Sequence, residues 1–575
     1  MAGMFPPIPQ RYVISSTSWI AELVCKYQQN NNAKIEPRDI CNWLLIERVL
    51  LVSGMAKTIN VMAPRIEDGL LNENQTAILN PRAPNDFCLT QVEHGHHPHA
   101  PAGYQVFRNV KDFGAKGDGV TDDTDAINKA ISSGNRCGLG SGSTTVLGAV
   151  VYFPSGKPII KGSKNFVGIA LIDTNVYIPG GNGDQWYINQ NNFYRSIRTF
   201  VIDLRDMSPD SQGWPPTGMY WQNGSGRFLT DLTFFGGNIA RNLQFTSQVT
   251  AIKMIWDCGE GDQPIGSIVV LDSSFSSVPI GILTSDRTNI YLEKLKLDSV
   301  ASVVTISRGP PILGGNGISI VESWGTKTKY TQFSQVQPSS GNRNISPEIR
   351  RAPELVDSSG KYFERSRPQY ELLGALSFVI VKTFSAVGKG QADDTVALNS
   401  ALTSAASSGK VLWLPMGLYK VTGTLNVPAG TCLTGECWSQ IVASGSFFAN
   451  ERRPQPLLKV GARDGQPGAA ELSDIIVTTS TSSGPTGGAI LVQWNLKSSS
   501  PGAAGMWDVL LRVGGAAGTN LQTAQCPKLS GVENNCIAAA LMLHLTRQSA
   551  GYFENVWARV ADHDLDTPAQ TQISI

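Results

Sequence analysis

The residues of this chain whose types and spacing suit chemistry are carboxylates set close together. Asp122–Asp123 and Asp393–Asp394 each close a glycine-rich run, and Glu554, Asp562, Asp564 and Asp566 crowd the last stretch. Two carboxyl groups about 6.5–9.5 Å apart can cleave a glycosidic bond with inversion: one protonates the leaving oxygen while the other activates water. Aromatic platforms and hydrogen-bonding amides can also hold a ligand. Trp221, Gln222, Trp256, Trp494 and Trp507 are the candidates for substrate-binding contacts, with core or coil-edge packing as the alternative for each. The paired aspartates also have a structural reading. Each pair precedes a segment with an apolar helical stripe, so Asp122, Asp123, Asp393 and Asp394 read as helix caps, favoured by the helix dipole. For Glu554 and the aspartates of the final stretch, solvated surface carboxylates are the default.

Other chemistries are poorly served. His94, His96, His97 and His99 concentrate four of the six histidines in one tract. Their spacing, with a glycine and a proline among them, suits no ordinary ligand pair, so the tract reads as a solvated loop and no metal or cofactor is expected. Nine cysteines without a CxxC do not make a disulfide scaffold for 575 residues. Cys526 and Cys536 can bridge a loop between two strands; Cys432 and Cys437 are a second pairing, with free buried thiols as its alternative. Charges nearly cancel, 47 basic against 46 acidic, which argues against nucleic acid or an anionic membrane as partner. No run of about 18 apolar residues offers a membrane span.

The elements that must position these groups are announced by a duplication. Asn109 to Ile131 reads NVKDFGAKGDGVTDDTDAINKAI, and Val379 to Leu402 reads VIVKTFSAVGKGQADDTVALNSAL. In each, an alternating strand leads through glycines suited to positive φ into a helix with Ala126, Ile127, Ala130 and Ile131, or Ala397, Leu398, Ala401 and Leu402, on one face. A short apolar strand ending in proline follows each: VVYFP from Val150 and VLWLP from Val411. Short strand patterns then recur with turn signals between them (GSIVVLDSSF, NIYLEKLKL, LSDIIVTT, MWDVLLRV, GYFENVWARV), as stacked coils require. With 58 glycines and 16% charged residues, the composition suits a turn-rich all-β protein.

The FGAKGDGVTDDT run with its following strand resembles the opening cap of pectate-lyase-like β-helices. Two copies in one chain resemble the fungal exo-β-1,3-glucanases of glycoside hydrolase family 55. NFYRSIRTFVIDL from Asn192, NGSGRFLTDLTFFGG from Asn223, SSGKYFERSRPQYE from Ser358, GECWSQIVASGSFF from Gly435 and ENVWARVADHDLD from Glu554 carry the narrower match. The resemblance implies two tandem right-handed parallel β-helices, each opened by a short capping helix. It divides the chain into a helical or disordered extension (1–85), a first β-helix (86–324), a linker (325–376) and a second, incomplete β-helix (377–575).

The resemblance further implies an extracellular, monomeric hydrolase that cleaves β-1,3-glucan exo-wise with inversion. Its general acid is a glutamate in a Ser-Glu-His type motif downstream of DHDLD. The chain stops nine residues after Asp566, which places that acid beyond Ile575. Departures in the first domain, where Gln222 abuts Asn223 and Asn238 runs through Ile239 and Ala240 to Arg241, remove whole coils of the family pattern. The chain as written is therefore expected to be inactive, and a glucan-binding protein without turnover is the alternative. The first residues, MAGMFPPIPQRY, do not form a signal peptide. A pectin-directed hydrolase or lyase ranks lower, for want of paired aspartates with Gly-His-Gly and Arg-x-Lys motifs or of a calcium-binding aspartate cluster.

Overall fold

Both glycine-rich runs fold, and they fold alike. A computed structural model describes residues 11–16, 90–134, 136, 144–154, 158–167, 170–174, 195–208, 218–220, 228–235, 244–246, 250–253, 267–284, 289–306, 309–326, 343–344, 351–370, 373–498, 500–528, 533–567 and 573. In the first run, strand Phe107–Asn109 enters a 3-10 turn, Val110–Phe113, which Gly114 ends at φ 107°. Gly117 and Gly119 follow at φ 63° and 75°, and helix α1, Thr124–Ser132, begins five residues later. The second run repeats each step: turn Val381–Phe384, Gly388 and Gly390 at φ 63° and 76°, and helix α2, Thr395–Ser408. Its turn ends on Ser385 at φ 68°, a left-handed conformation that glycine adopts more easily. α1 buries Ile127 and Ala130; α2 buries Leu398, Ala401, Leu402 and Ala405.

Past each cap, coils stack with parallel pairing. In the second half, Val411–Leu414, Cys432–Ala443, Ala470–Thr479, Ala504–Trp507 and Tyr552–Glu554 line one sheet. Leu425–Val427, Gln455–Val460, Ala489–Trp494 and Leu541–Leu545 line another. Register sets one face inward: Leu433, Leu472, Met506 and Phe553 are successive partners, as are Leu458, Val492 and Leu543. They pack into one continuous apolar core. Strands corner where a residue takes positive φ: Asp474 at 55°, Asp508 at 54° and Asn555 at 50°, one per coil. Asp and Asn tolerate this conformation better than other non-glycine residues.

The first half is built likewise, and its last coil is closed. Asn289–Asp298 pairs parallel with Ser274–Ser276 on one side and antiparallel with Ser319–Gly325 on the other. Ser302–Ile306 likewise receives antiparallel Pro311–Gly314. Turning the chain back covers the edges that a parallel stack leaves open. Among the described residues no sheet mixes strands from the two halves.

The chain is thus an all-β parallel β-helix protein, and one expectation for its N-terminus changes. Arg11–Ser16, assigned to a helical or disordered extension, is a strand pairing parallel with Asp118–Asp122 and Ile159–Val167. RYVISS carries the branched and aromatic residues that favour a strand. Among the described residues no helix is long and apolar enough to cross a membrane.

Candidate functional site

The duplicated aspartates divide the work of capping. Asp122 Oδ1 accepts from the Thr124 amide at 3.1 Å and its hydroxyl at 2.6 Å, and Asp393 binds the Thr395 amide at 3.0 Å. These two satisfy first-turn donors, as caps do. Asp123 and Asp394 stand at the N-cap position without a side-chain cap bond. Their carboxylates turn back instead: Asp123 accepts from Lys116 and Gly117 amides at 2.6 and 3.0 Å, and Asp394 from Val387 and Gly388 at 2.6 and 3.0 Å. The cap reading is corrected for this pair, which braces the glycine turn.

Of the substrate-binding candidates, Trp221, Gln222 and Trp256 lie outside the described residues. Trp494 is 0% exposed, set edge-on to Phe553 at 5.2 Å, with its indole N–H donating to Ala550 O at 3.2 Å. Trp507 is 1% exposed, and its N–H donates to Arg365 O at 3.0 Å. Neither offers a face to a sugar, so both are packing residues. Trp494 lies in the apolar interior, and Trp507 on the outer face of the coils is covered by a segment from the linker.

That segment, 351–370, is a strap tied to both halves by arginines. Arg351 binds Asp272 at 2.7 Å and Glu293 at 2.6 Å in the first half and lies over the Tyr362 ring. Arg365 then pairs with Glu471, whose other oxygen accepts from Tyr370 at 2.6 Å. Arg367 pairs with Asp474 and stands 3.8 Å from Asp508. Arg198 of the first half reaches the same two aspartates, 3.0 Å from Asp474. The corner aspartates thus form a ladder read by two guanidinium groups, and Asn555 donates to Asp508 from the next coil. Removing one member of such a buried set costs about 3–5 kcal/mol.

Glu554 stands beside this ladder. Burial pushes its carboxyl up to about 7, with Asp508 adding to the rise and the Tyr552 hydroxyl, donating at 2.5 Å, opposing it. A carboxylic acid protonated near neutrality is what acid catalysis needs. Here, though, the carboxyl is engaged with Tyr552, whose hydroxyl also accepts from the Arg365 amide at 3.4 Å. Of the remaining C-terminal acids, Asp562 is an exposed carboxylate beside His563, and the other two hold backbone amides. Asp566 accepts from the Thr145 and Ala517 amides, both at 2.7 Å, and Asp564 from Thr523 at 2.9 Å.

The histidine tract is a solvated loop only in part: His96 and His99 are exposed, whereas His94 and His97 are held against the second half of the chain. His97 is 1% exposed, and His94 Nδ1 donates to Glu436 Oε1 at 2.6 Å, in the second half of the chain. Among the described residues no three His, Cys, Asp or Glu side chains gather as a metal site. Cys526 and Cys536 are joined in a disulfide spanning ten residues, whereas Cys432 and Cys437 are free thiols. Sequence reasoning missed Arg198, Arg351, Arg365, Arg367 and Glu471. The recurrent Asp or Asn before Ile or Val in SDII, WDVL and ENVW was the signal for the ladder itself.

Tandem caps, parallel coils and arginine-tied strap define a pectate-lyase-like β-helix protein. The family model described as rhamnogalacturonase A/epimerase, pectate lyase-like, matches residues 107–157, 156–222 and 378–454. The chain is 37% identical to a glucan 1,3-beta-glucosidase of Cochliobolus carbonum, over 82% of this chain and 70% of that protein. It is 33% identical to a probable glucan endo-1,3-beta-glucosidase of Arthroderma benhamiae, over 82% and 74%. It therefore belongs to the fungal β-1,3-glucanase family of pectate-lyase-like proteins. It is also 38% identical to the non-secreted LysM effector LysM15 of Penicillium expansum over 86% of this chain, but spans only 41% of that relative's length.

Proposed function

We propose that the protein hydrolyses β-1,3-glucan, acting exo-wise from chain ends with inversion and releasing glucose. The observation that carries this reading is the 37% identity to a glucan 1,3-beta-glucosidase across 82% of the chain, both caps included. Polar surface with nearly balanced charge, 47 basic against 46 acidic residues, suits an uncharged polysaccharide. We place the protein outside the cell as a monomer. The Cys526–Cys536 bridge supports an oxidising compartment, since such bonds persist where thiols are not kept reduced. Secretion into culture medium against retention in cell extract tests that placement.

The second reading is glucan binding without turnover. It is favoured by the shortened junctions at Gln222–Asn223 and Asn238–Arg241, where the family carries further coils. One experiment separates the two. The purified chain is incubated with laminarin, and released sugar and its anomeric proton are followed by NMR, alongside retention on insoluble β-1,3-glucan. Free α-glucose appearing first supports the exo-acting, inverting hydrolase. Oligosaccharides instead indicate internal cleavage. Retention without release supports binding alone, and neither release nor retention overturns both readings.

A further inference from the structure

We propose that residues 92–100, which precede the first cap, form an acid-released latch joining the two β-helices, with His97 as its trigger. The segment belongs to the first half by sequence and to the second by contact. Val92 packs with Phe378, Val411 and Trp413, and the Glu93 carbonyl accepts from the Trp413 indole at 2.9 Å. The Gly95 amide donates to Glu436 at 2.9 Å, and His94 Nδ1 meets the other oxygen of that carboxylate. A Cβ on Gly95 would lie 2.0 Å from the Met416 carbonyl oxygen, so the latch seats only because residue 95 has no side chain.

His97 lies at the centre of the contact, 1% exposed, with Nε2 3.2 Å from the Gln440 amide nitrogen. The orientation of that amide is fixed by Arg512, whose Nη2 donates to Gln440 Oε1 at 2.7 Å. Gln440 therefore presents its N–H groups, and His97 Nε2 must accept with a lone pair. In that tautomer Nδ1 carries the ring hydrogen, so the His99 amide nitrogen, 3.3 Å away, is a close neighbour of it and not a hydrogen-bond donor to it. A proton added to Nε2 would set N–H against N–H in a buried site beside the Arg512 cation. His96 and His99 add further positive charge when protonated. Among the described residues the carboxylate that opposes this is Asp566, which already accepts from Thr145 and Ala517 amides and from the Thr144 and Thr145 hydroxyls. Burial accordingly lowers the His97 imidazole to about 4, with Arg512, His96 and His99 acting in the same direction and Asp566 against.

The direction follows. An undocked His97 binds its proton near 6.5 and a docked one near 4, so acidification favours the undocked form throughout that interval. Between pH 7.5 and 5 the opening equilibrium rises about 30-fold from this residue alone. Release uncovers Gln440 and Arg512. The His94–Glu436 pair is a second contact, whose loss weakens docking at every pH.

The test is hydrogen–deuterium exchange of the 90–107 peptide in the full chain, corrected for intrinsic rates, at pH 7.5, 6 and 5. About 30-fold faster opening at pH 5 is expected, with a flat profile for His97→Gln. Glu436→Gln should raise opening at all three pH values. An unchanged opening between pH 7.5 and 5, or a slope that persists in His97→Gln, overturns the latch. Exchange at the His97 ring carbon gives its titration midpoint without any substitution: a midpoint below 5 supports the proposal, and one near 6.5 refutes it even if the variant does not fold.

Discussion

Replacing Glu554 by Gln removes a proton-binding group while keeping an oxygen for the Tyr552 hydroxyl. In the folded chain this carboxyl titrates at about 7 against 4.5 when free, a rise of 2.5 caused first by burial and then by Asp508. At 1.36 kcal/mol per unit the full shift corresponds to about 3.4 kcal/mol; partial exposure of the side chain reduces this to roughly 1–2 kcal/mol. The sign follows from the folded state's holding the proton more tightly. Stability is undiminished below pH 4.5, falls as pH rises towards 7, and stays at its lower level above. Glu554→Gln does not ionise, so it should be more stable than the parent by about 1–2 kcal/mol at pH 8.5 and match it at pH 4. Thermal unfolding monitored by calorimetry across that range reads the difference as an upward shift of about 1–3 °C. A parent protein equal to or more stable than the variant at pH 8.5, or a difference independent of pH, would show that Glu554 is not held in its acid form.

Trp494→Phe and Trp507→Phe should each lower stability by about 1–3 kcal/mol, through lost area and an indole hydrogen bond, and leave retention on insoluble β-1,3-glucan unchanged. Reduced affinity at unchanged stability would restore them as sugar platforms. Asp508→Ala strips a carboxylate from Arg198 and Arg367 and should cost about 3–5 kcal/mol, read by denaturant titration, with faster proteolytic cutting within 351–370. Reducing Cys526–Cys536, a bond closing a loop of ten residues, should cost about 3 kcal/mol, checked by melting with and without dithiothreitol.

The caps and coils were legible because their signals are local. Glycines at 117 and 119, or 388 and 390, dictate a turn wherever they stand, and strands such as LSDIIVTT and NIYLEKLKL gather branched and apolar residues within a few positions. The misreadings share a different cause. Asp123 and Asp394 have the composition of caps, but their orientation is decided by amides six and seven residues upstream. Trp507 seems available until a strap more than a hundred residues away is laid over it, and the histidine tract looks solvated until Glu436 and Gln440 are brought to it. Arg198 and Asp474 are 276 positions apart, beyond any periodicity. Neutrality of the whole chain also concealed that Arg198, Arg351, Arg365 and Arg367 each meet buried carboxylates along one seam.

The latch sets a timetable for biosynthesis. His94 leaves the ribosome 342 residues ahead of Glu436, its partner. At about 5–20 residues per second it waits roughly 20–70 s for that partner to exist. The first β-helix, closed by its own returning strands, can complete its stack in that interval, so the segment made before it is fastened after it. Until the second cap and its next coil emerge, the nascent chain carries an unengaged histidine-rich tail that other proteins in the folding compartment can reach.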